Sequence, residues 1–206
     1  MLTKRIALLA QTGKNLHRKI AMVALETPEM QEGLQAPDFE LKGTDGKTYK
    51  LNDLKGENGL LVMFICNHCP FVKAILDKII RDTKDLKEQG INSVAIMSND
   101  PDEYQEDSLE NMKKLAEEKN FPFPYLIDET QDVAKSYGAI CTPDFFGFNR
   151  DLELQYRGRL DDSGMHDKPG ASRDLYNAMM QIAQMDKGPR VQNPSIGCSI
   201  KWTQSD

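Results

Sequence analysis

The chain has 206 residues, of which 39% are hydrophobic and four are cysteine, enough for one domain whose core needs no disulfide scaffold. A formal net charge of −6 with no cluster of Lys and Arg excludes the electrostatic footprint of a nucleic-acid binder. No apolar run approaches a membrane span, so the expected partners are small molecules or other proteins, with no nucleic acid and no membrane.

Lys4, Arg5, Lys14, Arg18 and Lys19 precede the first acidic residue, Glu26, and the apolar run Ile6 to Ala10 is short; a secretory signal core takes roughly 7–15 residues. The segment reads as a solvated N-terminal helix of a cytoplasmic protein, with an organelle transit peptide as the alternative. Residues 1–30 are therefore an expected extension, 31–187 the domain, and 188–206 a tail that packs on it. Asp45-Gly46 between short strand-like runs signals a hairpin. Gly59 to Cys66 is almost continuously apolar, as in a parallel strand covered on both faces. From Pro70 the spacing turns helical, with Val72, Ile75, Leu76, Ile79 and Ile80 on one stripe ahead of Gly90.

Val94 to Met97 is a second strand, and Asp100-Pro101 is a cap with a first-turn proline, which predicts a helix there. Asp107 with Glu110 resembles a capping box ahead of Met112, Leu115 and Ala116. Tyr125 to Ile127 is a short strand, and Asp128 with Gln131 caps a small helix that stops at Gly138. Phe145 to Phe148 and Leu152 to Tyr156 form two strands around Asn149-Arg150-Asp151, and Leu175, Ala178, Met179 and Ile182 mark a final helix. No element is evident after Gly188-Pro189. Strands alternating with helices imply an α/β protein of three layers with a mixed central sheet.

The chemistry falls where the buried strand ends and the helix begins, at Cys66-Asn67-His68-Cys69. Helix N-terminal amides and the helix dipole favour a thiolate there, and the spacing suits a readily reduced disulfide. His68 either adds positive charge or is an exposed helix-start residue, and Asn67 is a spacer. A single Cys-x-x-Cys is also half of a zinc site. No second pair exists, and His17, His68 and His166 offer no ligand spacing, so neither a metal nor another cofactor is expected.

The strand–Cys-x-x-Cys–helix unit, followed by Gly138-Ala139-Ile140-Cys141-Thr142-Pro143-Asp144, resembles the thioredoxin superfamily, with Pro143 at its cis-proline position. Over about residues 30 to 202 the chain is similar to a peroxiredoxin-like branch related to alkyl hydroperoxide reductase and thiol-specific antioxidant (AhpC/TSA) proteins. The matching strings are Ala36-Pro37-Asp38-Phe39, Cys66-Asn67-His68-Cys69-Pro70-Phe71-Val72-Lys73, Ser98-Asn99-Asp100-Pro101, Cys141-Thr142-Pro143-Asp144-Phe145-Phe146, Tyr156-Arg157-Gly158-Arg159 and Gly197-Cys198-Ser199-Ile200-Lys201-Trp202.

The resemblance implies a three-layer thioredoxin fold with an N-terminal hairpin and flanking helices, and an oxidoreductase using Cys66 and Cys69 as a dithiol/disulfide. Its partners would be protein disulfides or a thiol reductant such as thioredoxin or glutathione. Reduction of hydroperoxides is one alternative and metal binding without turnover a second. Thioredoxins resemble the chain in Cys66 as attacking thiol, but Leu60 stands where they carry a buried acid and Ile65 where they carry tryptophan. Peroxiredoxins place the attacking cysteine before a proline, which selects Cys69, and Val62 and Cys66 replace their Pro and Thr. Pro70 as first helical residue would make Cys69 the N-cap, so the attacking thiol stays open. Thr142 and Pro143 are expected beside the pair, with Cys141 as a third nearby thiol and Arg159, or Arg157, against the thiolate or a peroxide. Trp202 is expected to bury its ring and anchor the tail, with a weaker resolving or regulatory role for Cys198.

Overall fold

The structure, a computed structural model, describes residues 24–166 and 168–203. The basic segment read as an N-terminal helix or transit peptide lies outside them. In chain order the elements are β1 (Ala24–Glu26), β2 (Glu40–Gly43), β3 (Thr48–Lys50), α1 (Leu51–Leu54), β4 (Gly59–Phe64), α2 (Pro70–Glu88), β5 (Ile91–Met97), α3 (Leu109–Glu118), β6 (Tyr125–Ile127), α4 (Asp132–Tyr137), β7 (Cys141–Thr142), β8 (Asp144–Phe148), β9 (Leu154–Arg157), α5 (Asp174–Met185) and β10 (Ile196–Ser199).

Seven strands form one sheet in the order β3-β2-β6-β5-β4-β8-β9. β4 runs parallel to β5, and β5 to β6, while the β2–β3 hairpin and the β8–β9 pair add antiparallel edges. The all-apolar run of β4 is accounted for by its place in this sheet, because alternate residues must find cover on opposite faces. Leu61, Met63 and Ile65 pack with Val72, Ile75 and Ile79 of α2 and Leu175, Met179 and Ile182 of α5. Leu60, Val62 and Phe64 pack with Leu51 and Leu54 of α1 and Ala134 and Tyr137 of α4. These two cores are the outer layers of a three-layer α/β sandwich with a mixed sheet, the expected fold class. Leu60 is fully buried in the second of them.

Several local features differ from those expected. Asp100-Pro101 opens turns rather than an α-helix, and Asp100 accepts from the Asp102 amide. Ser108 is the N-cap of α3 and accepts from the Asn111 amide, so Asp107 is released from the capping box and turns inward. Asp128 accepts from the Val133 and Ala134 amides as expected of a helix-start acid. Gln131 instead reaches the Ser98 and Lys201 carbonyls.

The ends of the described chain are built into the body. β10 lies between β1 and β7 in a second, three-stranded sheet, pairing Ala24 with Cys198 and Cys198 with Thr142. An element therefore does exist after Gly188-Pro189, and the boundary expected at residue 31 moves back at least to Ala24. Two alternations are too few to show as a pattern in strands of three and four residues. Trp202 is 39% exposed and does not anchor the tail. The tail is held by its backbone: the Ile200 amide donates to Ile140 O, the Lys201 amide to Asn99 Oδ1, and the Lys201 carbonyl accepts from Gln131 Nε2.

Candidate functional site

β4 delivers Cys66 to the end of the sheet, and α2 begins four residues later, at Pro70, with Cys69 as its N-cap. Proline fits the first helical position because its missing N–H would have no partner there. The peptide bond between Thr142 and Pro143 is cis, as expected from the position of Pro143. It brings Thr142 across both sulfurs: Cys66 Sγ is 3.2 Å from Thr142 Oγ1, and Cys69 Sγ 3.1 Å from the Thr142 carbonyl oxygen.

Both thiols are buried, Cys66 at 1% and Cys69 at 0% exposure, yet Cys66 lines an open cleft of about 300 Å³ with Asn67, Val72, Lys73 and Glu106. Their environments push them apart. Interaction with the Cys66 thiol, and after it with Cys198, Thr142 and the Val72 backbone, outweighs burial and lowers Cys69 to about 5. Burial raises Cys66 well above an ordinary thiol, helped by its bond to Cys69 and by the charge of Asp107. The resting charge of the reduced pair therefore sits on Cys69, with Cys66 as a protonated donor facing the cleft.

Asp107, expected in a helix cap, is the residue that organises the site. Its Oδ1 accepts from the Asn67 and His68 amides at 2.8 and 3.1 Å, and its Oδ2 meets His68 Nδ1 at 2.6 Å and accepts from Asn99 Nδ2 at 3.0 Å. His68 is buried, not exposed at a helix start: it stacks on Tyr104 at 3.9 Å, and its Nδ1 is 3.6 Å from Cys66 Sγ. Asn67 is no spacer, since it donates to Glu106 O and accepts from Tyr125 O–H, which fixes the loop between the cysteines. An acid thus reaches Cys66 from a different segment than the one thioredoxins use.

The thiol in direct contact with the pair is Cys198, while Cys141 lies within electrostatic reach of Cys69 and Cys198. Cys198 Sγ lies 3.0 Å from Cys69 Sγ. Cys141 contacts Pro143 O at 3.8 Å, and burial followed by the charge of Asp144 keeps it protonated. Neither arginine hydrogen-bonds to a sulfur of the pair, although the charge of Arg157 acts on the Cys141 thiol. Arg159 Nε donates to Asp174 at 2.7 Å, and Arg157 binds Asp144 and the Gly138 carbonyl while lying over the Phe146 ring. Asn99 carried no sequence signal beyond the Ser98-Asn99-Asp100-Pro101 string, Asp107 only that of a capping box with Glu110, and Cys198 only that of the tail string.

Cys66, His68 and Asp107 offer ligand atoms within 4.8 Å of one another. Asp107 spends its oxygens on four hydrogen bonds, including the one to His68 Nδ1. The set is thus a charge and hydrogen-bond relay, and it would bind a metal only by giving those bonds up.

A model of the AhpC/TSA family matches residues 33–157. The solved structure of an uncharacterized conserved protein from Geobacillus kaustophilus is 47% identical, with a TM-score of 0.86 over 91% of this chain and 100% of that one. Thiol-disulfide oxidoreductase ResA of Bacillus thuringiensis subsp. konkukian is 26% identical over 130 residues, covering 60% of this chain and 66% of the relative. Peroxiredoxin Bcp of Bacillus subtilis is 28% identical, covering 67% of this chain and 79% of the relative.

Proposed function

This chain belongs to the AhpC/TSA family, and from that premise we propose that it is a thiol-disulfide oxidoreductase whose redox couple is Cys66–Cys69. The observation that carries the reading is the placing of both sulfurs against Thr142, ahead of cis-Pro143: Cys66 lines the cleft, and the Cys69 thiol is lowered to about 5. In the oxidised protein a partner thiolate attacks Cys66, the Cys66–Cys69 bond breaks, and Cys69 leaves as the stabilised thiolate. A low leaving-group pKa speeds that step. A second partner thiol then attacks the mixed disulfide at its own sulfur, releasing Cys66, and the partner leaves as a disulfide. In the reverse direction Cys66 attacks a substrate disulfide, with the His68–Asp107 pair positioned beside it to steady the proton it gives up.

Protein dithiols or disulfides, with a reductant such as thioredoxin or glutathione, are the proposed partners. The cis-Pro143 face also borders a second cavity of about 320 Å³, lined by Phe71, Ile75, Ser195 and Ile196 among others, which would receive an apolar side chain of such a partner. The expected test result is a Cys66–Cys69 disulfide in oxidised protein and exchange with a model disulfide that vanishes in Cys69→Ser. Exchange no faster than that of the Cys66→Ser/Cys69→Ser protein would overturn the reading.

One observation favours a second reading, reduction of hydroperoxides: Cys69 is a low-pKa N-cap immediately before Pro70. Its thiolate would cleave the O–O bond to give a sulfenic acid, which Cys66 would resolve to a disulfide and water. Arg157 and Arg159, tied to Asp144 and Asp174, lend this reading no support. Peroxide consumption lost in Cys69→Ser would establish it.

A further inference from the structure

Cys198 is the buried nucleophilic group that the proposed reaction does not use. It is seated with care. β10 pairs on one side with β1 and on the other with β7, which places Cys198 directly across from Thr142, the residue before the cis proline. The close approach depends on Gly197, where a Cβ would stand 2.2 Å from the Thr142 carbonyl oxygen and 2.9 Å from Pro143 N. Ser195 Oγ donates to Pro143 O, and the Ile200 and Lys201 backbone bonds fix the other end of the strand. These contacts leave Cys198 1% exposed, with its sulfur 3.0 Å from Cys69 Sγ, close to the roughly 2.05 Å of a disulfide bond.

We propose that Cys198 is a third redox-active thiol that forms a disulfide with Cys69 in exchange for Cys66. The inference rests on the Cys66–Cys69 reading above. In the oxidised protein the Cys198 sulfur, giving up its proton, attacks Cys69. The Cys69–Cys198 bond forms, the Cys66–Cys69 bond breaks, and Cys66 departs and takes up a proton. The disulfide moves one sulfur inward with no net oxidation or reduction, and the cleft-facing Cys66 is returned as a thiol while the chain remains oxidised. Cys69 is the shared sulfur because its Sγ lies 3.0 Å from that of Cys198, while Cys66 is its partner in the Cys66-x-x-Cys69 motif.

The test uses the full-length chain in four forms: wild type, Cys66→Ser, Cys198→Ser and Cys66→Ser/Cys198→Ser. Each is equilibrated in glutathione redox buffers, acid-quenched, alkylated and digested, and its disulfides are mapped by mass spectrometry. Wild type is expected to give both pairings, and Cys198→Ser only the 66–69 pairing. In Cys66→Ser the 69–198 pairing is expected, with a glutathione adduct on Cys69 that decays at least about tenfold faster than in the double variant, as intramolecular attack requires. Wild type that shows 66–69 alone at every buffer ratio overturns the inference without requiring any variant to fold. So does a Cys66→Ser adduct as long-lived as that of the double variant. Failure of wild type and Cys198→Ser to form 66–69 at all instead removes the underlying function, and this inference with it.

Discussion

Interactions with Cys66, Cys198 and Thr142 lower the Cys69 thiol, and this sets how the reduced protein responds to pH. An unfolded thiol titrates near about 8.5, so the folded value of about 5 lies below the unfolded one. The stability contributed by the Cys69 thiolate is therefore fully present above the unfolded value, shrinks as the pH falls, and is gone below the folded one. Denaturant unfolding of reduced wild type against reduced Cys69→Ser should show a stability difference that grows from pH 5 to pH 8. A constant difference would mean that the charge sits elsewhere. Asp107→Asn tests the other half of the pair. Removing the carboxylate charge should lower the Cys66 thiol, whose rise Asp107 supports after burial and the bond to Cys69. Asparagine offers only one acceptor oxygen to the four donors now bound, and the variant should lose about 1–3 kcal/mol. The pH profile of iodoacetamide labelling at Cys66 separates the two effects. At this scale the cysteines and cis-Pro143 were legible because their types and spacing are local. Asp107 was not, because it fits a capping box with Glu110, and only the fold gives the N-cap to Ser108 and turns Asp107 inward.

At the scale of elements, β4 and α2 were legible because an unbroken apolar run of strand length and a long one-sided apolar stripe fit a buried strand and an amphipathic helix and little else. β10 and β1 were hidden in the sequence, since strands so short acquire their identity from the neighbours they pair with. Gly197 is the residue that lets β10 approach the cis-proline loop. Gly197→Ala forces a Cβ against Thr142 O and should cost about 1–3 kcal/mol by overpacking, measured by urea unfolding. The same substitution should lower the yield of the 69–198 disulfide while sparing 66–69, because only Cys198 rides on the displaced strand.

For the whole molecule, the two cores on opposite faces of β4 carry the α/β class that alternation announced, and the 47% identical structure shares it at a TM-score of 0.86. The arginine expected at the thiolates serves this scaffold instead. Arg157, 8% exposed, pairs with the fully buried Asp144 on the neighbouring strand, and Tyr156-Arg157 gave no hint of that partner because β8 and β9 meet only after folding. Burial pushes Asp144 up to about 6 despite Arg157. Its folded value lies above the unfolded one, so the contribution of Asp144 to stability is greatest below the unfolded value and is lost as the pH rises through 6. Arg157→Met should enlarge that fall and cost about 3–5 kcal/mol at neutral pH, since it strands a buried charge, while the folded fraction keeps its disulfide exchange. Loss of exchange in folded Arg157→Met, read by circular dichroism and a model disulfide, would return the arginine to the chemistry.

Cys66 and Cys69 act in this reading as one two-electron couple, with Cys69 as the member of lower pKa. The most direct measurement equilibrates the wild-type chain across glutathione buffers and follows, by alkylation and mass spectrometry, which thiols disappear together. One transition is expected in which two thiols are lost at once, Cys69 always among them and Cys66 its partner in the pairing that faces the cleft. Cys66 and Cys69 both still alkylated in buffers as oxidising as about −150 mV, or Cys66 lost without Cys69, would contradict it.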